Sequence, residues 1–507
     1  MRTKSTIINF ITDAFPQVII LILGLIKVKL FLRVLGNEQL GLYQLYGQIV
    51  AYLVLLEGGV GSAMLFRLYK PIAEKDNEKI SQTMCAGKVI FNVVGIIILL
   101  CGLGVSFFVN NFIKESSFTH AYVQITFILY LISQVLYYFT VPERVMFEAE
   151  QKKYIPNTVF QLIALLKAIV EIAIILLGRG LIEILISLII CSLIANGIII
   201  IIYKKQHKYI NKKAKKDFSM IKDVKDLFVN TLGNLISNNI DIIIISKFIG
   251  LGYVAIYSTY NYFVEAIKQF IEKITGATMA GIGNLMLEDK QRAYNVFEEF
   301  NNLVFYLATI ICIPFYIIIN SFINIWYEGK IITKEIYAIL FSVILLYQVI
   351  RVPLKVYTLS SGKFKQVKNF VLLEIAINLL LSLILIRFMG ITGVLLGTII
   401  SLIIADFLTK PRVIFKEIFD KNCNKYYAKA LANFFIIMIL AFAWRKIISY
   451  NISGIIECML IGVIVAIINL AITTIYFKIS KQFNFFSRII RTIKGEKNEG
   501  VNNNSNI

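Results

Sequence analysis

The most informative residues in this sequence are charges and amides set among apolar neighbours. Between 253 and 285, Glu265, Lys268, Gln269 and Glu272 fall at i, i+3, i+4 and i+7, the spacing of one helix face. Upstream, Asn230, Asn234, Asn238 and Asp241 form a similar stripe, and Gln44, Gln48 and Tyr52, Tyr347, Arg351 and Lys355, and Glu374, Asn378 and Ser382 make three more. The first apolar run holds Asp13, Lys27, Lys29 and Arg33, the second Glu57, the fifth Lys167 and Glu171. In apolar surroundings a cation attracts an anionic group strongly, a carboxylate balances or couples charge, and an amide bonds a hydroxyl or a neighbouring helix. Lys27, Lys29, Lys268 and Arg351, with Asn234, Asn238 and Gln48, are therefore the expected substrate contacts. Asp13, Glu57, Asp241 and Glu265 are the expected coupling or cavity charges. Lys167 and Glu171, at i and i+4, are expected to neutralise each other, and Arg33, Arg67, Lys88 and Lys355 to snorkel toward interfaces.

The elements that must position these groups follow from composition. The chain has 507 residues, 58% of them hydrophobic, and a mean hydropathy of +0.75, whereas soluble domains are nearer ~45–50% apolar. An ordinary soluble enzyme is excluded. Fourteen apolar runs lie near 7–35, 40–65, 86–109, 121–141, 157–177, 181–203, 227–249, 253–285, 300–320, 333–357, 369–388, 391–409, 427–444 and 453–477. Each reaches at least the ~17 residues of the shortest bilayer span, and the first is too long for a signal peptide. A charge at the bilayer centre costs ~2.5–3.5 kcal/mol, so ten facing lipid would cost roughly 30, beyond a protein's net stability of ~5–15. The buried charges must face one another or water, which implies a hydrated cavity.

The net charge of +21 resides mainly between the runs. That distribution fits membrane orientation and argues against a nucleic-acid partner. With the N-terminus cytoplasmic, Arg67, Lys70, Lys75, Lys79, the run Lys204 to Lys225, Lys363 to Lys368, Lys410 to Lys425 and the tail all lie inside. Only a few cations, such as Lys114, Arg179, Lys330 and Arg387, lie outside, so both termini are expected in the cytoplasm.

The chain also repeats weakly. Leu35-Gly36 with Gly41-Leu42-Tyr43 recurs as Ile249-Gly250 with Ala255-Ile256-Tyr257, Val141-Pro142 as Val352-Pro353, and Asp76 with Lys79 as Asp289 with Arg292. The offset corresponds to six spans, so the halves are parallel. The expected organisation is a six-helix lobe over 1–203, a basic linker over 204–226, a second six-helix lobe over 227–410, two further helices within 411–480, and a tail over 481–507. The six cysteines lack metal-ligand spacing, and His120 and His207 are expected to be solvated. No nucleotide-binding or hydrolase motif occurs, so no cofactor is expected, and energy must come from a coupling ion (H+ or Na+) or the membrane potential.

Leu56-Glu57-Gly58-Gly59-Val60-Gly61-Ser62-Ala63, followed by Arg67-Leu68-Tyr69-Lys70-Pro71, resembles the second-helix end and first cytoplasmic loop of bacterial polysaccharide flippases. With fourteen spans and a six-helix duplication, the whole chain is similar to that branch of the multidrug/oligosaccharidyl-lipid/polysaccharide exporter superfamily. The resemblance implies an all-α integral membrane protein with two parallel lobes around a V-shaped cavity, alternating between inward- and outward-open forms. It implies a lipid-linked oligosaccharide as cargo, flipped across the bacterial plasma membrane for surface polysaccharide synthesis, with a glycan polymerase and glycosyltransferases as pathway partners. Relatives that flip the peptidoglycan precursor carry cations in helices 1, 2 and 8; here Lys27, Lys29 and Lys268 match, whereas the second run offers the acidic Glu57. In those relatives the last two helices form a groove for the lipid tail. A cation-coupled multidrug exporter of the same superfamily is the alternative reading, favoured if carboxylates dominate the cavity. A glycan polymerase or acyltransferase would need a larger external loop than 110–120 or 321–332.

Overall fold

The computed structural model describes residues 19–54, 57–114, 117–220, 240–276, 279–361, 364–448 and 452–480. Among them every regular element is helical. In chain order these are α1 (19–34), α2 (Asn37–Val54), α3 (Val60–Glu74), α4 (Asn77–Ser106), α5 (His120–Val135), α6 (Val141–Ala149), α7 (Tyr154–Leu176), α8 (Leu181–Gln206), α9 (240–248) and α10 (Leu251–Gly276). There follow α11 (Met279–Glu288), α12 (Lys290–Trp326), α13 (Glu335–Ile350), α14 (Val352–Ser361), α15 (Phe364–Met389), α16 (Ile391–Ser401), α17 (Lys410–Ile414), α18 (Asn424–Ile447) and α19 (Ile455–Ile479). Among the described residues, ten helical paths are long and apolar enough to cross a membrane. The other expected runs are helical wherever described, but α2, with Asn37, Glu38, Gln39, Gln44 and Gln48 in its 18 residues, is more polar than a lipid-facing span. This is an all-α, multi-pass membrane protein.

Several expected runs extend further than apolarity alone indicated. The second continues past a turn at Gly58 and Gly59 into α3, which ends at Lys75 in the left-handed region. The path His120–Ala149 bends through a 3-10 stretch, Leu136–Thr140, before Pro142, which sits in the first turn of α6 where a missing N–H costs nothing. Ile391–Phe419 passes through two π-helical stretches, Leu402–Phe407 and Phe415–Phe419, instead of ending near 409.

The repeat is visible as shared local conformation. Gly36 and Gly250, at the paired turns, both have positive φ, 85° and 107°, which lets one helix stop and the next begin at once. Asp76 Oδ1 accepts Lys79 N–H at 3.0 Å and caps α4, while Asp289 Oδ1 accepts Gln291 and Arg292 N–H at 2.9 and 3.0 Å and caps α12. Pro142 and Pro353 both open a short helix after a break.

The described residues fall into two compact units. One lies within Met1–Tyr260, Trp326–Ile332 and Val371–Thr398; the other within Asn261–Ile325, Thr333–Phe370 and Ile399–Ile507. In the first, buried Tyr46 packs edge-on against Phe127 at 5.4 Å and donates its hydroxyl to Val123 O at 2.8 Å. In the second, Phe297 meets Tyr357, Phe415 and Phe419 with ring centroids 5.2 to 5.4 Å apart. There α19 seats on α12: Tyr306 and Thr474 hydroxyls lie 2.8 Å apart, and a Cβ on Gly462 would stand 3.1 Å from Ile318. The outer faces of α18 and α19 expose Phe435, Ile439, Val463 and Ile467, the residues expected toward lipid.

Candidate functional site

A buried polar cluster centres on Asp241 of α9. Tyr257 of α10 donates its hydroxyl to Asp241 Oδ2 at 2.8 Å. Thr398 Oγ1 of α16 lies 3.2 Å from the same oxygen and 3.1 Å from Val394 O, with one proton to donate, and accepts Asn378 Nδ2 of α15 at 2.9 Å. Gly397 permits the close approach of α15 and α16, because a Cβ there would fall 2.8 Å from Ser382 Oγ and 2.9 Å from its backbone nitrogen. Tyr52 of α2 is within electrostatic reach of Asp241, and Gln48 lies one turn before it. Asp241 Oδ1, Gln48 Oε1, Tyr52 Oη, Ser258 Oγ and Ser382 Oγ are all buried without a hydrogen-bond partner among the described residues. Glu374, one turn before Asn378, is also buried. Buried polar atoms are rarely left unsatisfied, and a buried carboxylate without a cation is more costly still. Asp241 Oδ1 is the oxygen of this cluster left to take a proton or a water hydrogen bond.

The four expected cargo cations each have a carboxylate partner. Lys27 Nζ is 3.0 Å from Glu171 Oε2 and 5.6 Å from the Tyr43 ring centroid. Glu171 thus makes its close ion pair with Lys27 of α1, while Lys167, expected as its partner one turn away, stays within its electrostatic reach. Lys29 Nζ is 3.0 Å from Glu328 Oε1 and 5.3 Å from the Trp326 ring centroid. The Lys29 ammonium beside Glu328, in the loop after α12, holds that carboxyl below its ordinary range, first through their hydrogen bond and then through their opposite charges. Lys268 Nζ is 2.9 Å from Glu265 Oε1 on the same face of α10, as their spacing implied. Arg351 Nη1 is 3.9 Å from Asp406 Oδ2. Asp13, Asn234 and Asn238 lie outside the described residues.

Some partners were not singled out in the sequence. Asp406 accepts the Tyr347 hydroxyl at 2.6 Å and pairs with Lys410 one turn later; its i, i+4 spacing to Lys410 was the available signal. Arg144 stacks 3.2 Å over the Tyr137 ring, donates to Tyr137 O at 2.7 Å and reaches Glu57 electrostatically. Its counterpart in the repeat is Lys355, whose Nζ is 2.6 Å from Glu272 Oε1. Each half thus places a cation two residues after the paired proline, Lys355 in an ion pair and Arg144 within electrostatic reach of Glu57. Lys88 likewise pairs with Glu143 at 2.6 Å, so Lys88 and Lys355 do not simply snorkel. His207 is buried, not solvated, stacked on Tyr203 with Nε2 3.1 Å from Glu150 Oε1. His120 is exposed. The linker is held down as well: Arg67 donates to Ser219 Oγ at 2.5 Å, and Ser81 Oγ accepts Asn211 N–H at 3.0 Å.

Comparison with known proteins fixes the family. The profile of the family described as "Polysaccharide biosynthesis protein" matches residues 8–279, more than half the chain. A comparison with curated proteins returns no match. Among solved structures, the chain is similar to the lipid II flippase MurJ in an inward closed conformation, with 16% identity, 92% of this chain and 99% of that one covered, and a TM-score of 0.69. It is also similar to an inward-facing multidrug resistance MATE family transporter of the MOP superfamily, with 13% identity, 77% and 94% coverage, and a TM-score of 0.63. A Vibrio cholerae MATE transporter variant aligns over 82% of this chain and 97% of its own, with 15% identity and a TM-score of 0.53. These identities speak to the fold, and the profile speaks to the family. The chain belongs to the polysaccharide biosynthesis protein family, and its fold is similar to those of the lipid II flippase MurJ and the MATE transporters.

Proposed function

We propose that the protein flips a polyprenyl-diphosphate-linked oligosaccharide from the cytoplasmic to the outer leaflet of the bacterial plasma membrane by alternating access. The profile match over residues 8–279 carries this reading, and the similarity of the fold to a lipid II flippase supports it. Only the sugar and diphosphate need a polar path, since the prenyl chain can remain in lipid. Lys27, Lys29, Lys268 and Arg351 each start with a carboxylate partner, so the diphosphate exchanges for a carboxylate instead of filling an unpaired cation. That exchange limits affinity and allows release.

The Asp241 cluster supports ion coupling. The carboxylate is neutralised either by a proton or by Na+, and either cation links conformation to a gradient. The membrane potential adds to this drive: with the inside negative, outward movement of negative charge gains roughly 2.3 kcal/mol per charge per 100 mV. A glycan polymerase and glycosyltransferases of the same pathway would consume and supply the cargo.

Deletion of the gene should accumulate lipid-linked repeat units on the cytoplasmic leaflet and abolish the surface polymer. Normal polymer in a deletion strain without a redundant transporter would overturn the reading. Normal glycan export together with lost drug resistance would favour the multidrug alternative.

A further inference from the structure

The second unit contains an apolar cleft that the transport reading does not use. It occupies about 190 Å³ where the end of α13, the π-helical stretch Leu402–Phe407 and the start of α18 meet. Ile350, Leu402 and Ala430 form its buried floor. Ile403 and Leu431, 43% and 50% exposed, are its open lips. The π-helical stretch is the local cause: its wider turn supplies Leu402, Ile403 and Phe407 to the wall, and such turns recur at functional sites.

A cationic collar adjoins one end of the cleft. Lys410 meets Asp406, which belongs to the same π-helical stretch. Arg412, Lys416, Lys421, Lys425 and Lys429 follow along the chain to α18. Lys425 and Lys429 lie 3.5 and 3.3 Å from Glu298. Against these six cations stand Asp406, Glu417, Asp420 and Glu298, an excess of two positive charges. Ala430 is only five residues beyond Lys425 along α18, about 7–8 Å at 1.5 Å per residue. The apolar cleft therefore begins within one leaflet's depth of the collar, since half of the hydrocarbon core is about 15 Å thick.

We propose that this cleft is a binding site for an anionic phospholipid, with one acyl chain between α13, the π-helical stretch and α18 and its phosphate at the collar. The lipid is separate from the cargo, so the proposal does not depend on the flippase reading. Its chemistry is complementary at both ends: a narrow apolar slot takes a chain, and excess positive charge takes a phosphate.

The test uses the full chain, purified in detergent and stripped of lipid, with photoactivatable phosphatidylglycerol and phosphatidylcholine as probes. Crosslinking to peptides containing Ile403 or Leu431 should be at least tenfold greater for phosphatidylglycerol. Ala430→Phe, which fills the floor with an apolar group, should abolish that signal, and Arg412→Gln with Lys416→Gln should reduce the preference severalfold. Equal labelling by both lipids, or labelling unaffected by Ala430→Phe in a variant that elutes as folded protein, would overturn the proposal. Displacement by undecaprenyl phosphate but not by excess phosphatidylglycerol would overturn it too, by assigning the cleft to the carrier lipid.

Discussion

Glu171 has a side chain only 2% exposed, while its partner Lys27 is 24% exposed, so the carboxylate loses more if the pair is broken. Lys27→Met strands it, and removing one member of a buried pair typically costs about 3–5 kcal/mol. Thermal unfolding in detergent should show Lys27→Met strongly destabilised and the Lys27→Met, Glu171→Gln double variant recovering most of the loss. A stable single variant would mean that Lys167 already compensates the charge. Asp241 gives a different expectation, because its Oδ1 has no hydrogen-bond partner among the described residues. Asp241→Asn keeps the shape and removes the titrating group. In proteoliposomes it should fold normally and lose the dependence of flipping on an imposed H+ or Na+ gradient; unchanged gradient dependence would remove Asp241 from coupling. The spacing of Glu265 and Lys268 made their shared face readable, but not that they pair with each other. The partners of Lys27, Lys29 and Arg351 were not readable, because Glu171, Glu328 and Asp406 are distant in sequence and only packing selects among the carboxylates.

Glycines show what the helices require of one another. A Cβ on Gly41 of α2 would stand 2.1 Å from the backbone oxygen of Leu251, so Gly41→Ala must push α2 from the start of α10, at a cost of about 1–3 kcal/mol for overpacking. Gly197 in α8 has nothing within 4 Å of that position, and alanine there should stabilise by about 0.5–1 kcal/mol through helix propensity. Opposite shifts in the unfolding temperatures of the two variants check the assignment; equal shifts would deny the contact between α2 and α10. Helix existence was legible from apolar runs, and the repeated turns at Gly36 and Gly250 from their spacing. Helix ends were less legible. Pro142, Pro353 and the π-helical stretches continue a path in a new direction, whereas hydropathy registers only the fall in apolarity.

Across the whole molecule, the orientation of the loops is open to direct measurement. In a variant lacking the six native cysteines, Lys212→Cys should react with a membrane-impermeant maleimide only from the cytoplasmic side, and Lys330→Cys only from outside. Labelling of both from one side would overturn the assigned orientation. Composition alone determined the membrane class and the helical architecture, since a chain that is 58% hydrophobic with runs of bilayer length has few other ways to satisfy its backbone. The internal repeat was also written in the sequence, because turns, caps and prolines act locally and leave residue-type signatures. Tertiary structure alone decided that Asp241 is gathered with Tyr257, Thr398 and their neighbours, and that the expected cargo cations face carboxylates. The reason is physical: a charge inside an apolar run must find a polar partner, but its own sequence cannot specify which distant helix brings that partner near.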